Sequence, residues 1–151
     1  MNDILYIGID PGKSGGIALI SDLRIRVYAY SDDILMDCLK TAREWGDINN
    51  VIACVEKVGA MPGQGVVSMF SFGRSLGIIE GGLMASGIPY QLVPPRTWKK
   101  EFSLTSDKQQ SIEVCQKLYP HISLLATERC RKPHDGMAEA LLMATYCKRK
   151  M

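Results

Sequence analysis

The sequence predicts an α/β protein built on a mixed five-stranded sheet flanked by helices. Two observations carry that reading. Three strand-like segments follow one another at the start, and apolar strands then alternate with helical segments in the order βββαβαβαα. The 151 residues are 46% hydrophobic and 23% charged, the balance of a globular chain and not of a disordered one. One domain over 1–151 is expected, long enough to bury a core without disulfide or metal staples.

Ile4–Ile9 is apolar almost throughout, which places it centrally in the sheet. Pro11-Gly12-Lys13-Ser14-Gly15 is a turn by composition. Gly16–Ser21 and Arg24–Tyr30 read as two further strands joined tightly at Asp22-Leu23, so the opening is a meander. A helix over Asp33–Trp45 follows, capped by Ser31 or Asp32, with an apolar face of Ile34, Leu35, Cys38, Leu39, Ala42 and Trp45. Val51–Val55 is a short apolar strand, and Lys57–Gly65 a glycine-rich loop. A long helix spans Val66–Ser86, and a strand at Tyr90–Val93 is stopped by Pro94-Pro95. Ser106-x-x-Gln109 reads as a capping box opening a helix that Pro120 ends after Tyr119. The last helix spans His134–Lys148.

Every apolar run is interrupted by charge or glycine well short of the roughly 20 residues a membrane helix needs. MNDILYIGID lacks the basic start and apolar core of a signal peptide. Five cysteines without a C-x-x-C pair read as reduced thiols, and a cytoplasmic location is expected. Cys130 and His134 make only half of a zinc site.

The net charge of +2 is small, but its distribution is uneven. Residues 1–93 carry 7 Lys+Arg against 10 Asp+Glu, a net −3, whereas residues 94–151 carry 11 against 6, a net +5. The C-terminal part holds three basic clusters: Arg96-Lys99-Lys100, Arg129-Arg131-Lys132 and Lys148-Arg149-Lys150. Clustered positive charge attracts an anionic polymer through its phosphates, and equally describes a solvated surface.

Two apolar strands end in a carboxylate, Asp10 and Glu56. An acid at the end of a buried strand needs a partner for its charge. Strand parity puts Tyr6, Gly8 and Asp10 on one face, with Gly8 leaving space beside the acid. Asp10 also reads as the opening of an ordinary Asp-Pro-Gly turn; glutamate is a poor turn residue, so Glu56 resists that explanation. In the last helix Asp135 and Glu139 are four apart and share a face. A cap-like acid accounts for Asp135, but not for Glu139 among Ala, Leu and Met. Four carboxylates on three elements point to divalent cations: hard Mg²⁺ takes oxygen ligands, and two ions roughly 3.5–4 Å apart can stabilise the attacking and leaving oxygens of a phosphodiester.

These residues carry a resemblance. Strand-Gly8-Ile9-Asp10-Pro11-Gly12, the strand-ending Glu56, and the late Asp135-x-x-x-Glu139-Ala-Leu helix resemble the RuvC family of Holliday junction resolvases, within the RNase H-like nucleases. The likeness covers nearly the whole chain, including Phe72-Gly73-Arg74-Ser75-Leu76-Gly77 on the long helix, and is nearer to the short phage-type members. It implies an RNase H-like fold, a homodimer, and an endodeoxyribonuclease that nicks four-way and other branched DNA. It implies two Mg²⁺ ions per site, with Mn²⁺ as a substitute, and no nucleotide cofactor. Asp10, Glu56 and Glu139 match metal-binding acids. The fourth acid usually stands three residues before the last, where this chain has Gly136; Asp135, one residue further back, is taken in its place, with His134 as the alternative ligand. The aromatic that cellular members place shortly after the strand-ending glutamate is missing from Lys57-Val58-Gly59-Ala60-Met61, which leaves Val58 or Met61 to meet bases.

The resemblance also assigns DNA to the basic residues Arg96, Lys99 and Lys100, and to Lys108; Arg131 and Lys132 are expected to bind DNA on the strength of their charge cluster. A lysine in a first helical turn is unfavourable for the helix itself, so Lys108 suits a phosphate near the reacting centre. Gly73, Gly77 and Gly81 lie near one face of the long helix, each costing about 1 kcal/mol against Ala, and the resemblance turns that face toward a partner subunit.

Three rival readings remain. Asp-x-Gly after a first strand also opens actin-like ATPases and sugar kinases, but that fold duplicates its domain and no second copy exists here. A non-cutting branched-DNA-binding module would have no use for four intact acids. An RNase H-like nuclease acting on another nucleic acid is the remaining alternative.

Overall fold

The computed structural model describes residues 3–45, 50–59 and 62–151. Its frame is a five-stranded sheet in the order β3-β2-β1-β4-β5: β1 Leu5–Asp10, β2 Gly16–Ile20, β3 Ile25–Ala29, β4 Val51–Glu56 and β5 Tyr90–Val93. β1, β2 and β3 pair antiparallel as the meander, while β4 and β5 add in parallel on the other side of β1. The apolar first strand is therefore central, where both faces are covered.

Among the described residues, five α-helices flank the sheet: α1 Asp32–Trp45, α2 Val66–Ala85, α3 Pro95–Glu101, α4 Lys108–Leu118 and α5 Asp135–Lys150. On one face, Ile7, Ile9, Ile17 and Leu19 pack against Leu35 and Leu39 of α1 and against Ile79 and Leu83 of α2. On the other, Ala18, Ile20 and Cys54 meet Trp98 of α3, Cys115 of α4 and the apolar run of α5. Each fully buried aliphatic side chain contributes roughly 1.5–3 kcal/mol. Ser31 caps α1, its Oγ accepting from Ile34 N at 3.1 Å.

α5 lies almost flat against the sheet, with residues 136–145 all buried. Glycine permits this. A Cβ on Gly8 would collide with the backbone of Ala140 and Ala144, and one on Gly136 with the turn at Ser14 and Gly15. The space expected beside Gly8 is thus filled by the α5 backbone, which correctly lets the helix approach but does not leave a void.

Three local expectations are corrected. α3 adds a helix to the expected order, because Pro95 not only stops β5 but also starts a helix at its first turn, where a missing N–H costs nothing. The cap of α4 is Asp107, whose side chain accepts from Gln109 N at 3.0 Å, and not Ser106. The glutamine that reaches back is Gln110, its Oε1 accepting from Thr105 N and Oγ1. β4 runs one residue further than expected, so Glu56 belongs to the strand itself.

Cys38, Cys54, Cys115 and Cys147 are buried and, with Cys130, free of disulfides. Among the described residues no helix is long and apolar enough to cross a membrane.

Candidate metal centre and nucleic-acid cleft

The parallel register of β1 and β4 pairs Ile9 with Val55, so the next step places Asp10 beside Glu56 at the ends of adjacent strands. Adjacent strands lie about 4.8 Å apart. Asp10 shares the parity of Gly8, the residue against which α5 packs, and both acids face that helix. α5 brings Glu139 down onto them. Asp10, Glu56 and Glu139 each present an oxygen within 4.8 Å of the others.

Electrostatics makes this a costly arrangement. Burial pushes the Asp10 carboxyl well above the usual carboxylate range, reinforced by the charges of Glu56 and Glu139. Burial also raises Glu56, partly offset by a hydrogen bond from Trp98. That bond runs from the buried indole Nε1–H to Glu56 Oε2 at 2.8 Å. Mutually repelling carboxylates without sulfur are a donor set for a hard divalent cation. Within the described residues this is the one such group of three or more acids, histidines or cysteines, so Cys130 and His134 gain no zinc-like companions.

Asp135 stands outside the three-acid group. Its Oδ2 pairs with Lys108 Nζ at 3.0 Å. Lys108 therefore has a carboxylate partner where a phosphate was expected. That hydrogen bond, with the nearby charge of Glu139 and Asp10, raises the lysine's pKa. His134 caps α5, its Nδ1 accepting from Met137 N at 3.1 Å, which occupies one of its two possible ligand atoms. Position 136 holds glycine because the Ser14–Gly15 turn leaves no room for a side chain there; an acid at that point would push the turn off α5.

The three acids open into a cleft of about 360 Å³. Its wall includes Lys99 and Lys108, and also Lys13 and Phe72, which the sequence places in a turn and on the long helix without marking either as a site residue. Lys13 is legible in hindsight, three residues after Asp10 in a turn that must leave the sheet beside the acid. Trp98 was missed with α3. Lys99, next along α3, lies over the Trp98 ring with its Nζ 5.6 Å from the centroid.

The other basic residues spread outward. Arg96, Lys100, Arg131 and Lys132 are exposed and do not line the cleft. The tail is paired internally: Lys148 with Asp22, and Arg149 and Lys150 with Glu101. Val58 lines the cleft, while Met61 lies outside the described residues.

No protein-family model matches the chain, and neither does any curated protein. Solved structures do. The Thermus thermophilus RuvC structure superposes with a TM-score of 0.57 at 17% identity, covering 97% of this chain and 96% of that one. The fold is that of RuvC. Thermus thermophilus RuvC in complex with a Holliday junction substrate gives 0.58 at 18% identity with the same coverage. The yeast mitochondrial Holliday junction resolvase Ydc2 gives 0.51 at 14% identity, covering 97% of this chain and 84% of that one. The RuvC fold here keeps the central strand, its parallel neighbour and the last helix that together carry Asp10, Glu56 and Glu139.

Proposed function

We propose that this chain is a metal-dependent endonuclease that cuts branched DNA and resolves four-way junctions as a homodimer. The observation that carries the reading is the convergence of Asp10, Glu56 and Glu139 within 4.8 Å at the floor of a lysine-walled cleft. The fold, shared with a RuvC solved on a Holliday junction substrate, supports the choice of DNA.

Asp10, Glu56 and Glu139 hold the metal, and Asp135 is the fourth acid, one helical turn before Glu139. Divalent ions, Mg²⁺ or Mn²⁺ in its place, would neutralise these carboxylates and stabilise charge on the attacking and leaving oxygens of the phosphodiester. Trp98 holds Glu56 in orientation by its hydrogen bond. Lys108, on the cleft wall, is exchanged from Asp135 to the phosphate, which both frees the fourth acid and brings positive charge to the reacting group. Lys13 and Lys99 receive neighbouring phosphates, while the exposed Arg96, Lys100, Arg131 and Lys132 meet the duplex arms.

The homodimer reading rests on α2. Val66, Phe70, Gly73, Gly77, Gly81 and Met84 recur at spacings of three and four along one stripe. Val66 is 84%, Phe70 76% and Met84 65% exposed, and a Cβ on any of the three glycines would meet nothing within 4 Å. The stripe is therefore not packed against the sheet of its own chain. A second copy laid along it would bury the large apolar ends and bring two backbones together at the glycines. Twofold symmetry then supplies two sites for a substrate with two equivalent strands.

The test is cleavage with Mg²⁺ on four-way, three-way, flap and linear DNA side by side. Paired nicks on the four-way junction, lost in Glu56→Gln, are expected. Cutting of linear DNA or RNA at the same rate would replace junction resolution by the broader RNase H-like reading.

A further inference from the structure

The basic tail Lys148-Arg149-Lys150 has no part in the roles above, because its charges are spent on this chain's own acids. Two of the three converge on Glu101, the last residue of α3: Arg149 Nη1 lies 3.4 Å from Oε1 and Lys150 Nζ 3.1 Å from Oε2. The Arg149 guanidinium also stands over the ring of the next residue, Phe102, 5.1 Å from its centroid. The end of α3 is thus tied to the end of the helix that carries Glu139. α3 needs such a tie. A helix of seven residues does not sustain itself. Ser103, just past its end, has a φ of 54°, a left-handed conformation that a residue other than glycine keeps only when its surroundings impose it.

Resting on the nuclease reading, we infer that Glu101 and Arg149 are positioning residues for the reaction: their clamp fixes α3, and through Trp98 it fixes the carboxylate of Glu56. Trp98 lies within one turn of Glu101, is fully buried, and holds Glu56 Oε2 by its indole N–H at 2.8 Å. A hydrogen bond weakens steeply as its angle and length depart from the optimum, so a small slide of α3 is felt first at Glu56. Glu139 stands about three turns before Arg149 on α5. One helix therefore sets two of the three acids: Glu139 directly, and Glu56 by way of Arg149, Glu101 and Trp98. A reacting constellation has to be held to within about 0.5 Å, and the clamp closes the frame in which these two carboxylates face each other. Exposed ion pairs contribute little to stability. The effect of the clamp belongs in the cutting rate and not in the melting temperature, which is what separates it from a simple staple on the chain end.

The experiment is a double-mutant cycle between Glu101 and Trp98. It is read in single-turnover cutting of a four-way junction with Mg²⁺, in junction affinity and in Tm. A misplacement of 1 Å can cost about a hundredfold in rate, so Glu101→Gln and Arg149→Ala, which loosen α3 without removing it, should each cut roughly tenfold more slowly. Affinity and Tm should change far less. In a Trp98→Phe background Glu101→Gln should cause no further loss, because the bond that the clamp protects is already gone; independent contributions would multiply. Arg149→Lys, which keeps the cation and an aliphatic stem over Phe102, should retain most of the rate. A wild-type rate in Glu101→Gln or Arg149→Ala would overturn the clamp and leave the nuclease reading standing. So would a loss that multiplies with that of Trp98→Phe, or a loss of affinity as large as the loss of rate. If the wild type cuts no DNA, the nuclease reading fails and the clamp's role in it fails as well.

Discussion

Trp98 donates its indole N–H to Glu56 Oε2 at 2.8 Å, from a helix of seven residues to the end of a strand 42 residues earlier. Both side chains are buried. The bond gives Glu56 one fixed orientation and offsets part of its desolvation. Trp98→Phe keeps most of the volume and removes the donor. It should destabilise the fold by about 1–2 kcal/mol, as expected when a buried acceptor loses its partner, and lower the cutting rate more than DNA affinity. A thermal melt together with single-turnover kinetics checks both; full activity in Trp98→Phe would leave Trp98 as core packing alone.

The three converging acids predict a simple pattern. Asp10→Asn, Glu56→Gln and Glu139→Gln should each abolish cutting yet bind junction DNA at least as tightly, because negative charge near phosphate is removed. Glu56→Gln cutting at the wild-type rate would unseat the metal assignment.

Stability should depend on pH and on metal in a defined direction. Asp10 and Glu56 hold protons more tightly folded than unfolded. The native state therefore binds more protons, and metal-free stability falls as pH rises above the ordinary carboxylate pKa of about 4 and through the raised values. Below that pH both states are protonated and the penalty vanishes. Asp10→Asn should raise the Tm of the metal-free protein at neutral pH, and Mg²⁺ should raise the wild-type Tm more at about pH 8 than at about pH 5. A Mg²⁺ increment that ignores pH would count against binding at these acids.

Lys108 and Asp135 form an exposed ion pair whose own worth is small. Lys108→Ala should hardly change stability but lower the cutting rate more than affinity, since the charge it meets builds in the transition state. Asp135→Asn should also be severe for cutting. A mild effect there together with a severe His134→Ala would move the fourth ligand to His134. For the two lysines of α3, one on the cleft wall and one outside it, Lys99→Ala and Lys100→Ala should each flatten the log–log salt dependence of binding by roughly 0.9 per lost phosphate contact. Lys148→Ala should leave it unchanged, because that lysine already pairs with Asp22.

Gly77 offers a test in which stability and assembly move apart. With open space around it, Gly77→Leu should stabilise the isolated helix by about 1 kcal/mol. The same side chain stands in the middle of the proposed dimer face and should lower the mass seen by light scattering. A wild-type monomer at micromolar concentration with full junction activity would remove the dimer.

The sequence by itself determined the strand and helix order around Asp10, Glu56 and Glu139, because hydrophobic periodicity is a local property and three apolar strands and an amphipathic α1 declare themselves residue by residue. It also marked the acids, since a carboxylate closing a buried strand is locally unexplained. What only the tertiary structure decided is which groups meet. Register, not composition, set Asp10 beside Glu56. The collision of any side chain at 136 with the Ser14–Gly15 turn excludes an acid at that position, and packing of α4 on α5 set Asp135 against Lys108. α3 escaped because a proline that ends a strand and one that begins a helix look alike along the chain; burial of Trp98 against Glu56 is what separates them. Contacts across many residues depend on the sheet that carries them, and that information does not exist in any single segment.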